Sequence, residues 1–302
     1  MKDKLPEGFS SPTALPTDQG GAEWQRENRA WWEAHPMRYD WKDRLGVTEF
    51  SWEFYQEIDR RFFEDAAHYM PAREHPFDAI MPFSRLPEWD VLEIGVGSGS
   101  HAQLLSPHCR SYTGIDLTDY AVTSTRTRLA IFGLPGRVER MDAEQMGFAD
   151  ETFDYIWTWG VIHHSANTER VLGEMCRVLR PGGLATVMVY HRSFVYTYIY
   201  TALFRGILGG GFRRHSLHEL LQLNTDGAIA RFYRPGEWRS LVERCGFVVE
   251  GEWVMGQKSE VLLLPAGPVK HLAMRWVPDW LTRVVTNTLR QGSFLITTIR
   301  KA

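Results

Sequence analysis

"VLEIGVGSGS", residues 91–100, decides how this chain is read. The first four residues have the character of a buried strand, and Gly95, Gly97 and Gly99 then alternate with small or apolar neighbours. Without a Cβ at those positions, a ligand can approach main-chain N–H groups where the strand turns into its helix. The turn therefore points to a nucleotide-like ligand. A dinucleotide fingerprint would carry glycine at position 100, where Ser100 stands, so a pyrophosphate loses ground. Glu93 breaks the apolar run. An unpaired carboxylate there is costly, so it is expected to meet a cation or hydrogen-bond donors, an amino group of the ligand among them.

Outward from this turn, short apolar runs alternate with helical patterns from Asp90 to Val189: "VLEIG", "SYTGID", "RVERMD", "FDYIWTW" and "LATVMVY". Such alternation implies a parallel sheet with crossover helices. Residues 1–22, rich in Pro, Gly, Ser and Thr with little to bury, are expected to be disordered. Residues 23–85, aromatic and charged, predict a helical amino-terminal cap. The α/β core spans 86–191 and 235–302, interrupted by an apolar stretch at 192–234 that is too long for an ordinary connection and reads as a helical insertion. A second amphipathic piece covers 256–292.

Whole-chain properties exclude several classes. A formal net charge of −3 leaves no overall basic field, so nucleic acid is not the expected partner. Three scattered cysteines have neither disulfide nor metal-site spacing, which fits a reducing, cytoplasmic setting and predicts no metal. No run reaches the roughly 18 apolar residues of a membrane span. Association with further copies of the chain stays open.

Two further acids stand where a nucleotide would extend. Asp116 ends the second strand in "TGIDLT", where doubly wound folds place an acid on ribose hydroxyls. Asp142 ends the third in "RMDAEQ", where its carboxylate and the Ala143 N–H can read an adenine edge. Either alone also reads as a helix cap. Three acids at successive strand ends argue for a site.

With "VLEIGVGSG", "GIDLT", "DAEQMGFADETFDYIWTWGVIHH" and "RVLRPGG" in this order, residues 88 to 190 resemble the class I S-adenosylmethionine-dependent methyltransferases, in particular the quinone-biosynthesis and small-molecule branch. The resemblance implies a Rossmann-like, doubly wound, seven-stranded sheet ordered 3-2-1-4-5-7-6 with strand seven antiparallel. It implies S-adenosylmethionine contacts at Gly95, Gly97, Asp116, Asp142 and Ala143, and at Thr158, Trp159 and Gly160 after strand four. Glu93, Val96, Gly99 and Leu117 are assigned to the same site.

Methyl transfer from a sulfonium asks mainly for alignment and exclusion of water. A protic acceptor would gain from a base, and His163 or His164, just past the fourth strand, is in the right region, one expected to face the cavity and the other to pack inward. Tyr39 and Trp41 of the cap, with Arg192, Tyr196 and Tyr200 of the insertion, are the candidate acceptor contacts, the insertion acting as a lid. The basic run Arg205, Arg213, Arg214, His215 and His218 suits an acidic group or a solvated face. The expected activity is O-, N- or C-methylation of a small molecule, for instance in a natural-product or saccharide pathway. A nicotinamide oxidoreductase and a non-catalytic cofactor-binding partner are the alternatives.

Overall fold

The computed structural model describes residues 5–9, 18–40, 45–264 and 267–302. Eight strands, β1 (Asp90–Ile94), β2 (Ser111–Asp116), β3 (Arg137–Arg140), β4 (Phe153–Trp159), β5 (Leu179–His191), β6 (Phe232–Tyr233), β7 (Phe247–Met255) and β8 (Phe294–Lys301), form one sheet. Its order is β3-β2-β1-β4-β5-β8-β7, with β8 antiparallel to both neighbours. This is the expected seven-strand order once the two-residue β6 is counted. The sequence reading lacked β6, which continues along β5 where β4 has ended: Tyr190 pairs with Phe232 on one side and Phe294 on the other.

Alternate side chains of each central strand go to opposite faces, which gives two cores. Val91, Tyr155 and Trp157 pack with Phe62, Ala66 and Tyr69 on one face. Leu92, Ile94 and Ile156 pack with Val171, Leu172 and Met175 on the other. The latter three share a side of α5 (Thr168–Val178), whose first turn is capped by Asn167 Oδ1 accepting from the Arg170 N–H. Burial of six such aliphatic side chains contributes roughly 1.5–3 kcal/mol each relative to exposure.

The cap consists of α1 (Asp18–Ala34) and α2 (Trp52–Tyr69), the latter capped by Ser51, and α3 (Ser100–Leu105) follows the glycine turn after β1. α1 docks through charge. The Glu33 carboxylate accepts the N–H groups of Asp119 and Tyr120, each at 3.0 Å, at the start of α4 (Asp119–Ile131), and Arg29 pairs with Asp119 at 2.7 Å. The disorder expected through residue 22 does not hold for Leu5–Phe9 or from Asp18 onward. Phe9 is buried edge-on against Trp24 at 5.2 Å, and the Trp24 indole donates to the Glu7 carbonyl. A contact across fifteen positions leaves no trace in local composition.

Two stretches leave the carboxyl rim of the sheet. One follows β5 and contains a wide-turn helix, Val195–Leu208, and α6 (Leu217–Leu223) before β6. The other joins β7 to β8 and contains α8 (Pro268–Met274) and α9 (Asp279–Arg283); α7 (Pro235–Arg244) lies between them in sequence.

Candidate active site

The glycine turn after β1 is bare for two different reasons. A Cβ on Gly95 (φ +81°) would lie 2.2 Å from Val161 Cγ2, so this position is dictated by packing. A Cβ on Gly97 (φ +53°) would meet only Met37 Cβ at 3.9 Å, so the backbone there faces open space. Gly97 is the glycine that leaves room for a ligand.

That space belongs to a cavity of about 280 Å³ at the carboxyl ends of β1 to β5. Gly95, Val96, Gly97, Asp116, Leu117, Asp142, Ala143, Trp159 and Gly160 all line it. Asp116 is held from two sides: one carboxylate oxygen accepts from Thr118 N (2.9 Å) and Oγ1 (2.8 Å), the other from Gly97 N at 3.3 Å. Burial nevertheless moves its pKa up. Asp142 accepts from the Glu144 N–H and from Gln25 Nε2, both at 2.9 Å. Gln25 also accepts from the Ala166 N–H, tying the cap to two strand ends. The Ser98 hydroxyl donates to the Met37 carbonyl at 2.5 Å and closes this corner.

Glu93, Gly99 and Thr158 do not line the cavity. Glu93 sits behind its wall and accepts from the Tyr112 hydroxyl at 2.7 Å, with His101 Nδ1 4.0 Å away. Burial pushes its carboxyl up to about 8. Of the cation or hydrogen-bond donors expected for it, the fold supplies a donor, the Tyr112 phenol, and burial favours the protonated carboxyl. A Cβ on Gly99 would press on Arg128 and Thr125, a packing constraint. Thr158 is buried between Ile94 and Val187 in the sheet.

The two histidines separate. His164 lines the cavity, and its Nδ1 lies 2.7 Å from the Ile229 carbonyl. A carbonyl only accepts, so Nδ1 carries the proton and the lone pair of the neutral ring is on Nε2. Gly227 makes this contact fit, because a Cβ there would stand 2.4 Å from His164 Nδ1. His163 is fully buried against Tyr190, ring centroids 4.0 Å apart, outside the cavity lining. Burial holds its pKa well below the ordinary value.

At the end away from Asp142, the walls are Tyr39, Tyr69, Trp159, Tyr190 and Phe294, with Asp65, Asp226 and Gln257. Tyr39 is part of this lining, with a left-handed backbone (φ +57°) and its ring on Phe62. Trp41 lies outside the described residues. Arg192, Tyr196 and Tyr200 are not in this lining, which corrects the expectation of an aromatic lid. Arg192 pairs with Glu237, while Tyr196 stacks on Tyr200 at 5.6 Å and packs on Leu221, Ala230 and Phe232. The apolar ring surface is used to anchor the insertion, and Asp226 is what that insertion gives the cavity. Arg205, Arg213 and Arg214 are exposed, and the charged side chains among the described lining residues are aspartates.

Sequence reasoning missed Gln25, Asn28 and Trp32, although their i, i+3, i+7 spacing marks one face of α1. It also missed Tyr190 and Phe294, which stand at strand ends on the same rim. Asp65, Asp226 and Gln257 carry no local signal.

Residues 92–187 match a family model described as a methyltransferase domain. The phosphatidylethanolamine N-methyltransferase of Cereibacter sphaeroides is 38% identical over 103 residues, covering 33% of this chain and 50% of that protein. The chain thus spans half the length of that curated relative. The ubiquinone/menaquinone biosynthesis C-methyltransferase UbiE of Geotalea daltonii is 28% identical over 179 residues, 56% of this chain and 74% of that one. A solved structure of a putative sarcosine dimethylglycine methyltransferase from Galdieria sulphuraria superposes with TM-score 0.52 at 15% identity, over 93% of this chain and 98% of the other, and shares the fold.

Proposed function

Because this chain carries a class I S-adenosylmethionine-dependent methyltransferase domain, with S-adenosylmethionine as its cofactor, we propose that the protein methylates a small-molecule acceptor seated at the aromatic end of the cavity. One observation carries the reading: Gly97, Asp116 and Asp142 converge on one wall, an open backbone turn beside two carboxylates at neighbouring strand ends. That set fits an adenosyl group. Asp116, oriented by Thr118, accepts from ribose hydroxyls, and Asp142 with the Ala143 N–H faces the adenine edge. The cofactor supplies, when bound, a methyl group already activated by its cationic sulfur.

The remaining work is alignment and drying. Trp32 and Met37 of the cap cover the nucleotide end, and Trp159, Tyr39 and Phe294 provide the rigid aromatic walls of the acceptor end. Excluding water there strengthens every electrostatic contact inside. His164, fixed as the Nδ1–H tautomer, presents Nε2 as the proton acceptor for an acceptor group that starts protonated. His163 holds the turn that carries it. Aspartates and the absence of Lys or Arg from the described lining favour a neutral or basic acceptor over a phosphate or carboxylate. The names of the two curated relatives include an N- and a C-methyltransferase, which supports a small-molecule acceptor without choosing the atom.

Calorimetric titration with S-adenosylhomocysteine tests the reading. Asp116→Ala should cost ~1.5–3 kcal/mol, about 10- to 150-fold in Kd, as expected for hydrogen bonds to a charged acceptor. NADH should bind neither protein. A folded variant with the parent's Kd would refute the ribose assignment.

A further inference from the structure

Thirteen of the seventeen large apolar side chains exposed among the described residues lie in two stretches, 194–212 and 264–289. In the first, Phe204, Ile207, Leu208 and Phe212 stand out; in the second, Trp276 and Trp280, 84% and 61% exposed. Isolated exposed apolar residues are ordinary, but concentration of this kind marks an interaction surface.

Topology brings the roots of the two stretches together. β5 and β7 run parallel with β8 antiparallel between them, and Tyr190, Phe294 and Met255 pair across the three strands at the carboxyl rim. The chain after β5 and the chain between β7 and β8 therefore leave the sheet from neighbouring points. The Val195 N–H donates to Gln291 Oε1 at 3.1 Å and ties their roots together.

Charge identifies the occupant. Residues 194–216 hold Arg205, Arg213 and Arg214 and no acid. Residues 261–291 hold four Lys or Arg against one acid, Asp279, which pairs with Lys258. In a chain of net charge −3 this face is basic as well as apolar. A second copy meeting it face to face would set arginine against arginine. An anionic lipid leaflet complements both properties, since tryptophan and phenylalanine seat at the headgroup level while arginines meet phosphates.

We propose that this double-insertion face docks in plane on an anionic bilayer surface. No helix among the described residues is long and apolar enough to cross a membrane, so contact is at the interface. Docking brings the cavity close to the lipid, because Tyr190, Gln257 and Phe294 line the cavity at the roots of the same two stretches.

Co-sedimentation of the full chain with vesicles tests this, using phosphatidylcholine alone and phosphatidylcholine with ~30 mol% phosphatidylglycerol. The expected result is binding to the mixed vesicles at least ~10-fold stronger than to phosphatidylcholine, weakened by added salt. Trp276→Ser/Trp280→Ser and, separately, Arg213→Glu/Arg214→Glu should each lower partitioning ~10-fold, with circular dichroism and S-adenosylhomocysteine affinity unchanged. No preference for anionic vesicles at low salt overturns the proposal, as does parental binding by both variants. A dimer in sedimentation velocity that the tryptophan variant disperses would overturn it in favour of a second copy.

Discussion

At the proposed nucleotide end of the cavity, the glycine and the acids sit on strand ends or the turns beside them: Gly97 after β1, Asp116 and Leu117 at β2, Asp142 and Ala143 after β3. At the proposed acceptor end the wall is assembled from Tyr39, Asp65, Tyr69, Tyr190, Asp226, Gln257 and Phe294, drawn from the cap, both rim stretches and two strand ends. The first end is set by a local rule, in which a parallel strand must deliver its next residues to the carboxyl rim. The second depends on how distant elements close over that rim. Experiments that separate cofactor binding from acceptor turnover therefore test whether the two ends are independent.

The largest separation is expected at His164, which lines the same cavity. Removing a proton acceptor costs ~10²-fold or more in turnover when the acceptor group starts protonated. His164→Ala should lower kcat by about that factor, with the Kd for S-adenosylhomocysteine unchanged. His163→Ala, which opens a hole beside Tyr190, should instead lower stability by ~2–3 kcal/mol and affect turnover less. Equal losses of kcat and cofactor affinity in His164→Ala would assign it to the nucleotide end and break the division.

The same division explains what was legible in the sequence. The crossover pattern and the strand-end acids follow from period-2 burial, glycine turns and apolar helix faces, all visible within ten or so residues, whereas the strand order comes only from the family resemblance. Asp65 and Asp226 reach the cavity only because α2 and the post-β5 stretch fold over it, and Tyr196 is turned away because Leu221, Ala230 and Phe232 compete for its ring. Apolar aromatic residues in an insertion fit a pocket wall or an anchor equally well, and sequence spacing does not distinguish the two. Glu93 shows a subtler limit. Its unusual position and its need for a cation or a hydrogen-bond donor were visible, but which donor it meets was not, because Tyr112 comes from the adjacent strand.

Glu93 sharpens the comparison from the nucleotide side, because it lies one layer behind that wall. Its carboxyl is raised from an ordinary 4.5 to about 8 by burial. Between those values the folded chain holds a proton that the unfolded chain has released, so its contribution to stability is full below pH 4.5 and is lost as pH rises through 8. His101, lowered to about 3 by burial, acts in the opposite sense below 6.5, and Glu260, raised to about 7, reinforces Glu93 below 7. Between pH 7 and 8 Glu93 stands clear of both. The parent's unfolding free energy, from urea titrations, should fall with a slope of up to ~1.4 kcal/mol per pH unit more than that of Glu93→Gln. The variant's affinity for S-adenosylhomocysteine should match the parent's. Parallel pH profiles would mean that Glu93 is ionised in the fold and paired by something other than Tyr112.

The smallest effects are expected where the sequence placed acceptor contacts and the fold did not. The Tyr196 ring packs on Leu221 and Phe232 and stacks on Tyr200 with 15° between planes. Phenylalanine keeps the ring and removes only the hydroxyl, so Tyr196→Phe should change stability by no more than about 0.5 kcal/mol. Tyr200→Phe should fall within about 0.5 kcal/mol. Neither hydroxyl reaches the cavity lining, so kcat and KM for the acceptor should stay within about twofold of the parent in both variants. A hydroxyl that hydrogen-bonds an acceptor in a dry site is worth far more than that when removed, because the acceptor's own polar group is left unpaired. A tenfold rise in KM with unchanged stability would therefore show that the wide-turn helix swings its tyrosines into the cavity when the acceptor binds. The acceptor end would then have a moving wall, while the nucleotide end kept its fixed one.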